Sequence, residues 1–226
     1  MTDVQRFRNR AQAGKLLARE LAAYAPHPAL GAPDAIVLAL PRGGVPVAFE
    51  IAQAFDAPLD LVMVRKIGAP GHEEYAVGAV VDGADPRWVM DEAALDYFAA
   101  SPDWFEQEKA RQLKEIKRRR AIYTAGRPPI SLAERVVVVV DDGVATGNTA
   151  KVALLALADV KPRRLIFAAP VGAEQSLALL RPLVDELACP FAPEPFRAVG
   201  LHYERFDQTT DEEVIELLER SNQGRV

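Results

Sequence analysis

The chain has 226 residues, 50% hydrophobic and 26% charged, with a formal net charge of −5. That length suffices for one domain with a substantial core, and the acidic balance disfavours nucleic acid as a partner. The one cysteine, Cys189, rules out an intrachain disulfide and fits a reducing cytosol as a small buried apolar residue. A cytoplasmic location is expected. The N-terminus MTDVQRFRNR is too polar for a signal peptide, and no apolar run reaches the roughly 20 residues of a membrane span.

Phe7, Ala11, Gly14, Ala18 and Leu21 recur at alternating spacings of four and three, which predicts an amphipathic helix over residues 5–24. Pro26, Pro28, Gly31 and Pro33 break the chain. Residues 35–40 form a short apolar run, a buried strand, followed by the turn PRGGVP and a helix over 45–55. Residues 59–64 predict a second strand ending in Arg65-Lys66. The Gly, Pro and charge content of 67–75 (IGAPGHEEY) predicts a mobile loop. Residues 76–81 and 88–90 read as a short antiparallel pair. Residues 91–123 read as helical with a break near Ser101-Pro102, where Ser101 caps the second piece. On it Phe105, Leu113, Ile116 and Tyr123 share a face. Strand 136–140, helix 147–158, strand 164–169 and helix 172–180 follow. Residues 184–198 read as Pro-rich and irregular. Thr210 and Glu213 form a capping box that opens a C-terminal helix with Val214, Leu217 and Leu218 inward. This alternation predicts an α/β fold with a mainly parallel, doubly wound sheet flanked by helices. One domain spans 1–226: a core of about 35–185, the N-terminal helix 5–24, a helical insertion of about 91–130, and a hood with the C-terminal helix over about 185–221.

The stretch VVVVVDDGVATGNT, residues 136–149, concentrates the chemistry. Five valines suit a strand buried on both faces, and its carboxyl end, where open α/β sheets bind ligands, carries Asp141 and Asp142. The small residues and hydroxyls of the following turn precede a helix whose first N–H groups lack partners, a cradle for phosphate. An acidic pair beside such a cradle points to a ligand with hydroxyls or a metal at one end and phosphate at the other. Neither GxxxxGK[ST] nor GxGxxG occurs.

DDGVATGNT resembles the phosphoribosyl-pyrophosphate (PRPP) motif of type I phosphoribosyltransferases. The resemblance covers roughly residues 35–185 and is closest to a bacterial group of unknown acceptor, which shares LPRGGVPVA, VRKIGAPGHEE-YAVGA and the helical insertion. It implies a PRPP-dependent pentosyltransferase that displaces pyrophosphate by a nitrogen nucleophile, a nucleobase, with Mg²⁺ as cofactor. It gives Asp141 and Asp142 the ribose hydroxyls and the metal, directly or through water. Gly143, Val144, Ala145, Thr146, Gly147, Asn148 and Thr149 then bind PRPP, and the turn from Ala145 to Thr149 cradles its 5′-phosphate. Arg42, Gly43, Gly44 and Lys66 bind pyrophosphate, so Asp141, Asp142, Lys66 and Arg42 form the catalytic set. Glu73, Glu74 and Tyr75 become lid residues. Tyr203 and Phe206, with Phe191 and Phe196, become candidates for the hood over the base. The resemblance also implies a cis peptide near Arg42–Gly43. Members acting on 6-oxopurines carry an acid where Ala145 stands, which argues against such an acceptor.

Read without the resemblance, Arg42-Gly43-Gly44 is a strand-to-helix turn with glycines for positive φ, and Arg65-Lys66 is a solvated strand end. Arg118-Arg119-Arg120 reads as a solvated helix face. His27, His72 and His202 have no metal-ligand spacing. Two alternatives stand beside the enzyme: a catalytically silent PRPP- or nucleotide-sensing regulator on the same fold, and an assembly role for residues 91–130 as a site cap or homodimer contact.

Overall fold

The computed structural model describes residues 6–24, 35–84 and 86–223. Helix α1 (Arg10–Tyr24) leads to strand β1 (Ala35–Ala39), helix α2 (Gly44–Ala54) and the short strand β2 (Leu59–Leu61). Strands β3 (Val64–Ala69), β4 (His72–Val81) and β5 (Arg87–Met90) follow, then helices α3 (Glu92–Tyr97) and α4 (Pro102–Thr124). Strand β6 (Val136–Val140), helix α5 (Asn148–Ala158), strand β7 (Arg164–Ala168), helix α6 (Glu174–Leu180), strand β8 (Glu186–Ala188) and helix α7 (Asp211–Asn222) complete the chain.

The main sheet is wholly parallel, in the order β2-β1-β6-β7-β8. The valine strand β6 is therefore central, paired from Ala35↔Val136 to Ala39↔Val140 on one side and from Val136↔Arg164 to Val140↔Ala168 on the other. Strand periodicity sends alternate side chains to opposite faces. Val37, Ala39, Val136, Val138 and Val140 join a core with α1, α2 and α7, whereas Ile36, Leu38, Val137 and Val139 join a second core with α5 and α6. Every valine of β6 is at most 1% exposed, and each contributes on the order of 1.5–3 kcal/mol by burial. Helix α1 lies close on α2 because Gly14 has no Cβ: one there would sit 2.6 Å from the Val47 carbonyl oxygen.

Several predicted elements change. Helix α1 starts at Arg10, capped by Asn9, whose Oδ1 accepts from the Gln12 N–H at 2.9 Å. Phe7 instead bridges to Tyr203, while Gln5 and His27 lie outside the described residues. The second strand ends at Leu61, so Arg65 and Lys66 belong to a separate antiparallel sheet, β3-β4-β5. The expected mobile loop 67–75 is the arm of the β3–β4 hairpin, turning at Pro70-Gly71 with Gly71 at φ +72°. The β4–β5 pair, Val80↔Trp88 at its middle, is the predicted one. Within the region expected to be irregular, β8 pairs with β7 as an edge strand.

Both predicted caps form, although of the capping box only the Thr210 half is seen among the described residues. Ser101 accepts from Trp104 N at 3.2 Å to open α4, and Thr210 accepts from Glu213 N at 3.2 Å to open α7. The solvated reading of Arg118–Arg120 fails at its third member. Arg120 is 6% exposed. It donates to the Leu61 carbonyl at 3.0 Å and to Asp82 Oδ2 at 2.7 Å, and it forks onto both oxygens of Asp60. That network fixes α4 across the end of β2.

Candidate active site

The parallel register carries three chain segments to one edge of the sheet: the turn after β1, the turn after β6 and the segment after β7. Asp141 and Asp142 extend the central strand, where the Asp141 N–H still donates to the Ala168 carbonyl at 3.1 Å. The Asp142 N–H turns back onto Asp141 Oδ1 at 2.9 Å. Burial, and next the charge of Asp142, push the Asp141 carboxyl well above the usual carboxylate range. Two adjacent carboxyls in one site hold a single negative charge more readily than two. A neutral carboxyl can still donate to or accept from a sugar hydroxyl.

Asp142 is held on three sides. Arg10 Nε donates to its Oδ2 at 2.7 Å, with the side chains only 12% and 14% exposed. The Arg10 guanidinium also donates to the Asp207 carbonyl at 2.6 Å and lies 3.9 Å over the Phe206 ring. Tyr203 donates its hydroxyl to the Asp142 carbonyl at 2.6 Å. On the third side is Gly43, where a Cβ would overlap the Asp142 carboxylate. The two glycines of the PRGG turn therefore supply space, not positive φ. Gly43 has φ −59°, and a Cβ on Gly44 would sit 2.6 Å from the Val140 carbonyl oxygen. A cis peptide does occur here, at Pro41–Arg42, one bond before the expected position.

The turn after β6 is anchored at its start and open at its end. Val144 is buried and locked by its N–H to the Val171 carbonyl and its carbonyl to the Ala173 N–H, both at 2.9 Å. The Ser176 hydroxyl donates to the Ala145 carbonyl at 2.6 Å. Gly143 is packed so closely against Val199 that a Cβ would clash with it. Beyond these anchors Gly147 adopts φ +72°, and α5 begins with no side-chain cap. Ala145, Thr146, Asn148 and Thr149 are exposed there. The backbone N–H groups of Thr146, Gly147, Asn148 and Thr149 have no acceptor among the described residues. Helix α2, starting beside it at Gly44, also lacks a side-chain cap, but its Gly44 and Val45 N–H groups are taken by the Leu40 and Arg42 carbonyls, so the open donors are those of α5. Exposed helix starts with unpartnered donors attract anions.

A cavity of about 560 Å³ opens between these turns and α4, and both Arg42 and Thr149 line it. Arg42 reaches across to Asp211 Oδ1 at 3.3 Å, which also accepts from the Tyr123 hydroxyl at 2.7 Å. Lys66 is not on that wall. It faces a neighbouring cavity of about 760 Å³ with Glu73. Glu74 is exposed on the same hairpin, and Tyr75, 62% exposed, packs its ring against His72 and Phe98. The structure thus brings together Asp141, Asp142, Arg42, Gly43, Gly44 and the turn 143–149, and leaves Lys66 and the lid candidates outside. The hood candidates pack among themselves. Tyr203 stacks on Phe206 at 4.9 Å, and Phe196 stacks on His202 at 5.4 Å. No sequence motif singles out Arg10.

Comparison with known proteins bears on the family and the fold. Residues 8–190 match the phosphoribosyl transferase domain family. The chain belongs to that family. Two Mycobacterium tuberculosis relatives, from strains CDC 1551 and H37Rv and each named only provisionally as a phosphoribosyl transferase, are 38% identical over 216 residues. That alignment covers 96% of this chain and 47% of theirs, so the chain spans about half the length of these relatives. The crystal structure of TT1426 from Thermus thermophilus superposes with a TM-score of 0.79 at 40% identity, covering 95% of this chain and 98% of that one. The mainly parallel, helix-flanked sheet is the fold expected of a member of that family. No described helix is long and apolar enough to cross a membrane.

Proposed function

We propose that the chain transfers the phosphoribosyl group of PRPP to a nitrogen of a small-molecule acceptor, a nucleobase, releasing pyrophosphate. The observation that carries this reading is one strand–turn–helix in which Asp141-Asp142 precede the uncapped start of α5 by a single turn. Acceptors for a diol and donors for a phosphate then stand on one strand–turn–helix, the two kinds of group a ribose 5-phosphate needs. Arg42, beside the carboxylates, takes the pyrophosphate end. In the reaction the bond from C1 to the pyrophosphate oxygen breaks as the bond from nitrogen to C1 forms, with inversion. Positive charge grows on the ribose, and the Asp141–Asp142 pair opposes it electrostatically. Lys66 and the lid residues Glu73, Glu74 and Tyr75 serve the reaction after movement of the β3–β4 hairpin toward Arg42, which excludes water.

The donor set fits Mg²⁺. The described residues hold no group of three or more His, Cys, Asp or Glu suited to a metal, so an all-protein cage is not on offer. Adjacent hard carboxylate oxygens beside a polyphosphate site suit an ion that keeps waters and substrate oxygens as ligands. Asp141 and Asp142 would hold it, directly or through water. When bound, it supplies charge neutralisation to the departing pyrophosphate.

Calorimetric titration with PRPP in Mg²⁺, followed by a pyrophosphate-release screen over nucleobases, tests the reading. Asp142→Asn should weaken PRPP binding tenfold or more; it also takes the charge partner from Arg10, so Tm should fall by some degrees, and the titration is run well below the variant's Tm. Unchanged binding and turnover in that variant would sink the assignment. PRPP binding without pyrophosphate release over the whole screen would favour a sensor on the same fold.

A further inference from the structure

The sequence made Arg118 and Arg119 part of a solvated helix face. The structure turns both toward the cleft, where they line the 560 Å³ cavity with Arg42, Arg65 and Thr149. Four guanidinium groups face this space, offset by Asp211 on its lining and by Glu115, which pairs with Arg65, Arg118 and Arg119, in a chain whose net charge is −5. The cations are held in position. Arg65 Nε donates to Gln112 Oε1 at 2.6 Å on α4. Arg118 forks onto Glu115 at 2.8 and 2.9 Å, and Arg119 Nε donates to the same carboxylate at 2.9 Å. Hydrogen bonds from Arg118 and then Arg119 hold the Glu115 carboxyl down at about 2, so it stays ionised and keeps the pair aimed. The Nη groups of Arg119 make no hydrogen bond among the described residues. With the Arg118 fork spent on Glu115, its Nη1 and the Nη groups of Arg119 are the donors open to phosphate oxygens.

We propose that the α4 insertion supplies the second wall of the pyrophosphate site, with Arg118 and Arg119 gripping the anion opposite Arg42, and that Asp211 occupies the anion's place on Arg42 until it binds. This rests on the proposed phosphoribosyl transfer and assigns the insertion a role in it. The position on the sheet fits. The cavity lies at the β2–β1 side, lined by the turn after β1, the β2–β3 connection and start of β3, α4 and the starts of α5 and α7, and no residue between 171 and 207 lines it. The leaving anion and the hood therefore occupy opposite sides of the Asp141–Asp142 pair. Asp211 is a competitor placed on the site's own cation, as its 3.3 Å contact with Arg42 shows. Tyr123 of α4 holds it there at 2.7 Å.

Titration of inorganic pyrophosphate, PRPP and ribose 5-phosphate, each with Mg²⁺, into four forms of the full chain tests the proposal. Both arginines have side chains more than half exposed, so their removal leaves the fold intact. Arg118→Gln/Arg119→Gln should weaken pyrophosphate and PRPP by about tenfold or more and leave ribose 5-phosphate within twofold. Arg118→Lys/Arg119→Lys should recover part of the loss. Asp211→Asn should bind pyrophosphate more tightly than the wild type. Unchanged pyrophosphate and PRPP affinities in the Gln variant, beside normal PRPP binding by the wild type, overturn this inference alone. An equal loss for ribose 5-phosphate also overturns it. A wild type that binds no PRPP overturns the proposed function and this inference with it.

Discussion

Arg120→Met should unfold the protein far more readily than any change to the arginines beside it. Met fills much of the space of the arginine stem, so the loss is electrostatic. Arg120, Asp60 and Asp82 have side chains 7%, 9% and 7% exposed, and the variant leaves two buried carboxylates without a cation. Removing one partner of a buried pair costs about 3–5 kcal/mol. Asp60 keeps the Leu61 N–H at 2.8 Å and the Ile130 N–H at 3.2 Å, and Asp82 keeps the Met63 N–H at 2.7 Å. These retained donors place the loss toward the lower end, a fall in Tm on the order of 10 °C for a chain this size. The sign of the pH dependence follows from Asp82. Burial raises its carboxyl above the ordinary 3.8, and Arg120 is the main opposing influence. Without Arg120 the carboxyl rises further. A carboxyl whose folded value lies above its unfolded one binds its proton first in the folded state, so acidification through that value favours folding. The deficit of the variant relative to the wild type should therefore be largest near pH 7 and shrink toward pH 5. Urea unfolding followed by circular dichroism at both pH values measures it. A deficit under about 1 kcal/mol at pH 7, or one that grows on acidification, would refute the buried network. Arg119→Gln, one residue away and exposed, should stay within about 0.5 kcal/mol of the wild type.

Gly43→Ala should separate binding from stability. Its φ of −59° and ψ of −33° suit alanine, so the backbone adds no strain and any fall in Tm is confined to displacement of the Asp142 carboxylate that the new methyl meets. PRPP affinity should fall tenfold or more, and an unchanged titration would show that the two turns do not share a site. Cys189, expected to be buried, is only half-buried, yet desolvation pushes its thiol up from an ordinary 9.0 to about 12. At pH 8 the folded thiol is then less ionised than the same thiol in urea. Iodoacetamide should label the folded chain more slowly than the chain in urea, and equal rates would contradict the upward shift.

Local signals carried far in this chain. The valine run of β6, the alternation of strands with helices, and the caps at Ser101 and Thr210 were legible because each depends on a few adjacent residues. The hairpin arm was missed because β3 does not alternate. Val64 and Ile67 fall on different phases, and the register slips at Ile67/Gly68 and Gly68/Ala69, so glycine, proline and charge dominated the reading. In RRR the three residues look alike. What separates them is the line Phe105, Gln112, Ile116, Arg120 and Thr124 that α4 buries. Polar residues on that line hid its period. Arg10 left a subtle signal: a cation in the first position of a helix opposes the helix dipole. Its partner Asp142 lies 132 residues away, beyond any local pattern. The site's acidic half was readable because one motif holds it, and its supports were not because they come from both ends of the chain.

Tyr203→Phe decides what the hood aromatics do. If the Tyr203 ring covers the acceptor, phenylalanine should serve almost as well, since stacking needs only the ring. The structure gives the ring other work. Tyr203 is 4% exposed, packed between Phe7 at 5.4 Å and Phe206 at 4.9 Å, while its hydroxyl reaches the Asp142 carbonyl. Phe206 in turn carries Arg10, which holds the Asp142 carboxylate. Both aromatics thus set the backbone and the side chain of one acidic residue. Loss of the hydroxyl leaves a carbonyl without its donor, about 1 kcal/mol, which at the binding step is a factor of roughly five in affinity. PRPP titration should show that loss, and any acceptor found in the base screen should keep its KM. A raised acceptor KM with unchanged PRPP affinity would reverse the assignment and return Tyr203 to the acceptor. The ring contacts favour the first outcome, because a side chain enclosed by Phe7 and Phe206 has no free face to offer a base.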